Sequence, residues 1–194
     1  PALWAARRRK IPFVTTFHGT YGHGNALKRL YNSVMVRGDR VIAVSHFIAD
    51  HIAQTYHAEA KKVRIIPRGI DLTVFDPDRT TAERMIRLST EWQLPDGMPI
   101  VMLPGRLTGW KGQTVLIEAM AKLKDRFDDR GILALLVGAD QGREAYTAEL
   151  HKLIKDRGLQ GKVWLVGDCR DMAAAYKLSD VVVSASTEPE AFGR

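Results

Sequence analysis

Ile100-Val101-Met102-Leu103-Pro104-Gly105-Arg106-Leu107-Thr108-Gly109-Trp110-Lys111-Gly112-Gln113 is the stretch on which the reading of this chain turns. The apolar run Ile100–Leu103 makes a short buried strand, a loop containing Gly105, Gly109 and Gly112 follows, and residues of helical period occupy Gln113–Phe127. Strand, Gly-rich turn and helix start make one βα unit of a parallel sheet. Glycines ahead of a helix let an anion approach backbone N–H groups at the positive end of the helix dipole, and Arg106 and Lys111 add two cations. The spacing is neither the dinucleotide fingerprint nor the P-loop, so it gives no licence for NAD or ordinary ATPase chemistry. These residues alone read equally as an anion site and as a solvated turn.

Outward from this unit the same alternation repeats. Strands are expected at Pro12–Phe17, Arg40–Val44 and Val63–Ile66 before it, and at Ile132–Val137, Val163–Val166 and Asp180–Ser184 after it. Between them lie helical segments: Asn25–Arg37, with Leu27, Leu30, Tyr31 and Val34 on an apolar face; Ser45–Tyr56, with Ser45 as N-cap; Thr81–Trp92; Arg143–Arg157; and Arg170–Leu178. The fold class is α/β, with two open parallel sheets. Pro and Gly punctuation at Pro67-Arg68-Gly69-Ile70-Asp71 and Phe75-Asp76-Pro77-Asp78 marks the boundary, giving domains 1–76 and 77–194. Two such sheets joined by a short crossing segment make a cleft, which ligands favour. The run Asp180-Val181-Val182-Val183-Ser184-Ala185 reads as a buried strand feeding the acidic, Gly-containing loop Glu188–Arg194, at a strand end where open α/β sheets hold ligands.

Charge divides the chain at the same boundary. Up to Phe75 there are 12 Lys and Arg against 4 Asp and Glu; beyond it there are 17 against 18. The excess sits in Arg7-Arg8-Arg9-Lys10, Lys28-Arg29 and Lys61-Lys62-Val63-Arg64, a face suited to anionic lipid, anionic sugar lipid or nucleic acid, or simply to water. A lone Cys169 excludes an intrachain disulfide and fits a reducing compartment. No apolar run is long enough to span a membrane.

Two further residues are candidates. Glu190 can accept hydrogen bonds from adjacent hydroxyls, as a sugar presents them, and reads otherwise as loop surface charge. His18 ends the first strand and precedes Gly19; it faces a cleft or serves the structure. No cluster of metal-ligand spacing and no nucleophile elbow is visible.

In order, Thr16-Phe17-His18-Gly19, Val44-Ser45, Ile66-Pro67-Arg68-Gly69-Ile70-Asp71, Gly105-Arg106-Leu107 with Lys111-Gly112, Val137-Gly138 and Glu190-Ala191-Phe192-Gly193 resemble the retaining GT-B glycosyltransferases of family 4, also called group 1. The resemblance implies two Rossmann-like domains, both incomplete in this chain. It implies a nucleotide-diphosphate-sugar donor on the C-terminal domain and the acceptor on the N-terminal one. By the same resemblance Gly105, Arg106 and Lys111 contact the donor diphosphate, and Glu190 is the first glutamate of an E-x7-E pair meeting sugar hydroxyls and ribose. His18 reaches the donor sugar near the reacting centre, and Arg170 lies, by a looser match, where the nucleobase is held. The reaction is front-face substitution in which the departing phosphate oxygen takes the acceptor proton, with neither protein nucleophile nor metal cofactor.

Arg68 departs from that pattern, standing where Asn is common, and the second glutamate would lie four residues beyond Arg194. The Gly-rich loop near the start of the N-terminal domain is also missing. An internal piece of such an enzyme is therefore expected, unable by itself to transfer sugar. The implied setting is cell-envelope lipopolysaccharide or polysaccharide assembly in the cytoplasm, with a lipid-linked or polysaccharide acceptor and peripheral contact with the anionic inner face of the membrane. A non-catalytic nucleotide-binding module is the alternative. Nucleic acid is not expected as a partner, because no recognition motif accompanies the charge.

Overall fold

The computed structural model describes residues 1–21, 26–123, 126 and 131–191. The chain divides into two compact units, Asp71–Glu188 and a unit made of Pro1–Ile70 with the end of the chain from Pro189. The sequence boundary at 76 thus falls six residues later than the observed one, and the terminal segment groups with the first unit, not the second.

In the first unit α1 (Ala2–Arg9), β1 (Val14–Phe17), α2 (Ala26–Asn32), β2 (Arg40–Ala43), α3 (His46–Tyr56) and β3 (Val63–Ile65) follow in order, with a 3-10 turn at Ser33–Val36 after α2. The strands are parallel in the order β1-β2-β3, with Phe17 opposite Ala43 and Ala43 opposite Ile65. The Ser45 hydroxyl accepts the Ile48 N–H at 3.2 Å and so caps α3, as its position before the apolar periodicity predicts. One turn apart on α3, Ile48 and Ile52 close over Phe17, Val41, Ala43 and Val44. The opposite sheet face is thinner: Val14 is exposed, Ile42 half-buried and Arg64 exposed.

Two elements of this unit differ from expectation. Helix α1 was not foreseen; its alanines favour helix, its three arginines fall in the last turn where the dipole welcomes cations, and Lys10 closes it in the left-handed conformation. Arg8 lies 5.2 Å over the Trp4 ring. The apolar face expected on α2 is open to solvent, since Leu27, Leu30 and Tyr31 are 79%, 60% and 78% exposed. Periodicity reports which residues share a face, not what that face meets. The expected helix start at residue 25 lies outside the described residues, as do residues 124, 125 and 127 of the segment expected at Gln113–Phe127.

The second unit contains α4 (Ala82–Glu91), β4 (Ile100–Pro104), α5 (Gln113–Leu123), β5 (Leu133–Val137), α6 (Glu144–Asp156), β6 (Val163–Gly167), α7 (Met172–Leu178) and β7 (Val181–Val182). Its sheet is parallel in the order β6-β5-β4-β7. Every residue of β5 is buried, as an interior strand covered on both faces requires. Ala134 and Leu136 pack with Leu116, Ile117, Met120, Leu150 and Ile154 from α5 and α6; Leu133, Leu135 and Val137 pack with Leu88 of α4, Trp92 at its C-cap, and Ala174 and Ala175 of α7. This is a doubly wound Rossmann-like layer. The strand expected as buried at Asp180–Ser184 is a two-residue strand, Val181–Val182, paired with β4 alone among the described residues, and Val181 and Val182 are exposed. Asp180 anchors its start by accepting the Ile100 N–H at 2.7 Å.

Candidate functional site

In the second unit the chain runs outward from β4 through β5 to β6, then returns to lay β7 on the other side of β4. The order therefore reverses between β4 and β7, and the crevice beyond the carboxyl ends of strands at such a reversal is where open α/β sheets take ligands. The Gly-rich loop stands at that place. It leaves β4 at Pro104, forms a 3-10 turn at Gly109–Lys111 and enters α5 at Gln113.

Close packing explains two of the glycines at these strand ends. Gly112 has φ +79, and a Cβ there would collide with the backbone carbonyl of Ala185, just beyond β7. A Cβ on Gly138, after β5, would collide with the Gly105 carbonyl. Backbone hydrogen bonds tie the strand ends together: Gly105 N–H to the Val137 carbonyl at 2.8 Å, Gly138 N–H to the Gly167 carbonyl at 2.7 Å, and Leu107 N–H to the Ala139 carbonyl at 3.0 Å. Gln113, fully buried, donates to the Arg106 carbonyl at 3.0 Å and accepts from the Tyr146 hydroxyl at 3.2 Å, so a buried amide fixes the loop from beneath.

On this frame Arg106 is exposed, while the Lys111 stem lies against Gly105 and its ammonium sits 4.6 Å from the centre of the Trp110 ring. Thr187 N–H donates to the Trp110 carbonyl at 2.8 Å, joining the segment after β7 to the loop. The Thr108 hydroxyl is buried without a hydrogen-bond partner among the described residues, a polar atom held in the loop with its capacity unused. Sequence reasoning missed both Thr108 and Gln113. The available signal was Gln113 itself, a polar residue at the head of an otherwise apolar helix face.

Arg170, in the loop between β6 and α7, is exposed beside a cavity of about 430 Å³ lined also by Arg87, Leu88, Glu91, Asp168, Cys169 and Asp171. Asp171 organises this loop. It accepts the Ala174 N–H and so caps α7, and it takes a bidentate pair from Arg84, with Nη2 at 2.6 Å and Nε at 2.9 Å. The Arg84 hydrogen bonds hold the Asp171 carboxyl below the usual carboxylate range, and burial pushes the Cys169 thiol up, away from the thiolate form.

The remaining candidates belong to the first unit. His18 follows β1 and its Nδ1 meets Arg68 Nη2 at 2.5 Å. Glu190 is half-buried, and the carbonyl of the next residue, Ala191, accepts a hydrogen bond from Ser45 Oγ at 2.6 Å. Phe192 and Gly193 of the same motif lie outside the described residues. The structure thus brings Gly105, Arg106 and Lys111 together in one loop and carries Arg170 on another strand end of the same unit. His18 and Glu190 sit in the other unit.

Known families account for this arrangement. The profile described as Glycosyl transferases group 1 matches residues 86–194, and that described as Glycosyltransferase Family 4 matches residues 1–74. The chain belongs to the group 1 glycosyltransferases. Among solved structures of this fold, a glycosyltransferase from Rickettsia africae is 37% identical, with a TM-score of 0.88 over all of this chain and 50% of its own length. HepE of Anabaena, in complex with UDP and glucose, is 26% identical with a TM-score of 0.83, over all of this chain and 51% of its own. Among curated group 1 relatives, a D-inositol 3-phosphate glycosyltransferase of Jonesia denitrificans is 26% identical over 97% of this chain and 48% of its own length. The chain spans about half the length of the relatives it matches. The parallel sheets of both units agree with the GT-B architecture that the sequence resemblance implied.

Proposed function

We propose that the protein carrying this chain transfers a sugar, with retention of configuration, from a nucleoside-diphosphate-sugar to an anionic cell-envelope lipid or polysaccharide. The observation that carries this reading is the β4–α5 loop: a Gly-rich passage at the sheet's reversal point, pressed at Gly112 against the segment after β7 and bearing Arg106 and Lys111. In the proposed chemistry the glycosidic bond to the diphosphate breaks and negative charge grows on the leaving phosphate oxygen. Arg106 and Lys111 stabilise that charge, a task for fixed cations in a site that need not reorganise. The leaving oxygen takes the proton of the acceptor hydroxyl, which bonds to the anomeric carbon on the same face.

Arg170 is assigned to the nucleobase, Glu190 to the donor's sugar and ribose hydroxyls, and His18 to the donor sugar. Support for a nucleotide donor comes from the UDP and glucose bound by HepE. Support for an anionic acceptor comes from the first unit's basic excess and from the Jonesia relative, whose name gives an inositol phosphate as acceptor. We assign the enzyme to the cytoplasmic face of the cell membrane, held peripherally by charge; no helix among the described residues is long and apolar enough to cross a membrane.

The full-length protein, screened against a panel of nucleotide sugars, is expected to hydrolyse its own donor slowly in the absence of acceptor. Arg106→Ala or Lys111→Ala in that protein should lower turnover about 10²-fold or more. Nucleotide binding without hydrolysis or transfer would make it a non-catalytic module. Unchanged kinetics in both variants would remove the diphosphate assignment.

A further inference from the structure

Arg68 stands where the resembled pattern commonly carries Asn, and its side chain ends on His18. The two residues leave different strands. His18 immediately follows β1, Arg68 lies three positions beyond the end of β3, and β2 runs between these strands in the sheet. Neighbouring strands are about 4.8 Å apart, so the link passes over the carboxyl end of β2, a span of roughly two strand spacings that a long guanidinium side chain covers. Arg68 is half-buried, which limits the freedom of that side chain.

A guanidinium has donors and no acceptor. The ring nitrogen it meets must therefore accept, which leaves the lone pair on Nδ1 and, in the neutral ring, the proton on Nε2. We propose that Arg68 is a positioning residue that fixes His18 in this tautomer and orientation, presenting Nε2–H as a hydrogen-bond donor to a hydroxyl of the donor sugar. The inference rests on the assignment of His18 to that sugar. Without Arg68 the imidazole can rotate and exchange its donor and acceptor edges, so a hydroxyl arriving at it meets a donor only part of the time. Arg68 acts through His18 and needs no contact with the sugar.

Two measurements test this. Long-range proton–nitrogen NMR of the protein, under conditions where the ring is neutral, should show His18 protonated at Nε2 and hydrogen-bonded at Nδ1. Arg68→Met, which keeps length and removes the donors, should move the Nδ1 resonance to that of an unbonded nitrogen, and Arg68→Lys should bring it most of the way back. A proton on Nδ1 in the wild type, or an Nδ1 resonance unmoved by Arg68→Met, overturns the proposal. This readout needs no sugar, so it still decides the matter if no nucleotide sugar is turned over and the proposed function fails. In the full-length enzyme Arg68→Met should lower kcat about 10-fold, within the range that coupled neighbours exchange, with the donor KM unchanged. The double variant with His18→Ala should then be no slower than His18→Ala alone, and losses that multiply would show that Arg68 does not act through His18.

Discussion

The two units are built from the same βα chemistry and differ in how much of it is covered. In the second, β5 is buried along its whole length and helices close both faces of the sheet. In the first, one face carries Phe17, Val41 and Ala43 under α3, while the other offers exposed Val14, half-buried Ile42 and an Arg in the middle of β3. Parallel sheets normally need both faces covered. Within this chain cover and charge are divided: the well-covered unit carries the Gly-rich loop, and the thinly covered unit carries the excess of cations.

Substitutions can break this contrast or refine it. The largest loss is expected at Gly112, where Ala combines a left-handed backbone with a collision against the Ala185 carbonyl. Gly112→Ala should cost about 4 kcal/mol, seen as a lower urea midpoint for the second unit, and a normal midpoint would refute the tight approach of the segment after β7. Next comes Leu135→Ala in the heart of β5, at about 3 kcal/mol. The same truncation at half-buried Ile42 should cost about 1 kcal/mol. Equal losses at the two positions, in denaturant melts read by hydrogen exchange in each sheet, would erase the distinction between the units.

Asp171→Ala follows, at about 2 kcal/mol for a lost cap and charge-assisted pair, and it has a pH signature. Because Arg84 lowers the folded pKa of Asp171 beneath its ordinary 3.8, the stabilisation is fully present above that value and disappears as pH falls through the lower folded one. The stability gap between wild type and variant should therefore be flat near neutrality and close only in acid; a gap that instead widened on acidification would contradict the pairing. The smallest effect belongs to Leu30→Gln on exposed α2, within about 0.5 kcal/mol, and a loss several times larger in thermal melts would mean that this face is buried in solution.

Much of the architecture was legible in the sequence because it depends on local pattern. The run Leu133–Val137 announces an interior strand, Ser45 announces a helix start, and glycines between Pro104 and Gln113 announce a tight strand-to-helix passage. What escaped depends on partners distant in sequence. Leu27, Leu30 and Tyr31 have helical spacing, yet nothing in that spacing says whether a core lies beneath them. Val181 and Val182 look like buried strand residues, and their exposure shows only once the fold is in view. The link from Arg68 to His18 crosses 50 positions and leaves no periodic trace. The site was readable to the same extent: the loop by its glycines, and Gln113 and Thr108 only once their burial was visible.

The hydrogen bonds that run from the Gly167 carbonyl to the Gly138 amide, and from the Val137 carbonyl to the Gly105 amide, make one seam along the tops of β6, β5 and β4. The starts of three loops are thereby tied to one another. The seam amides are spent on these carbonyls, so a ligand held above them, under the proposed function, would meet a backbone already fixed and lose little ordering entropy on contact. Under the proposed function, a change of donor preference would fall to side chains standing above the seam and leave the backbone below undisturbed.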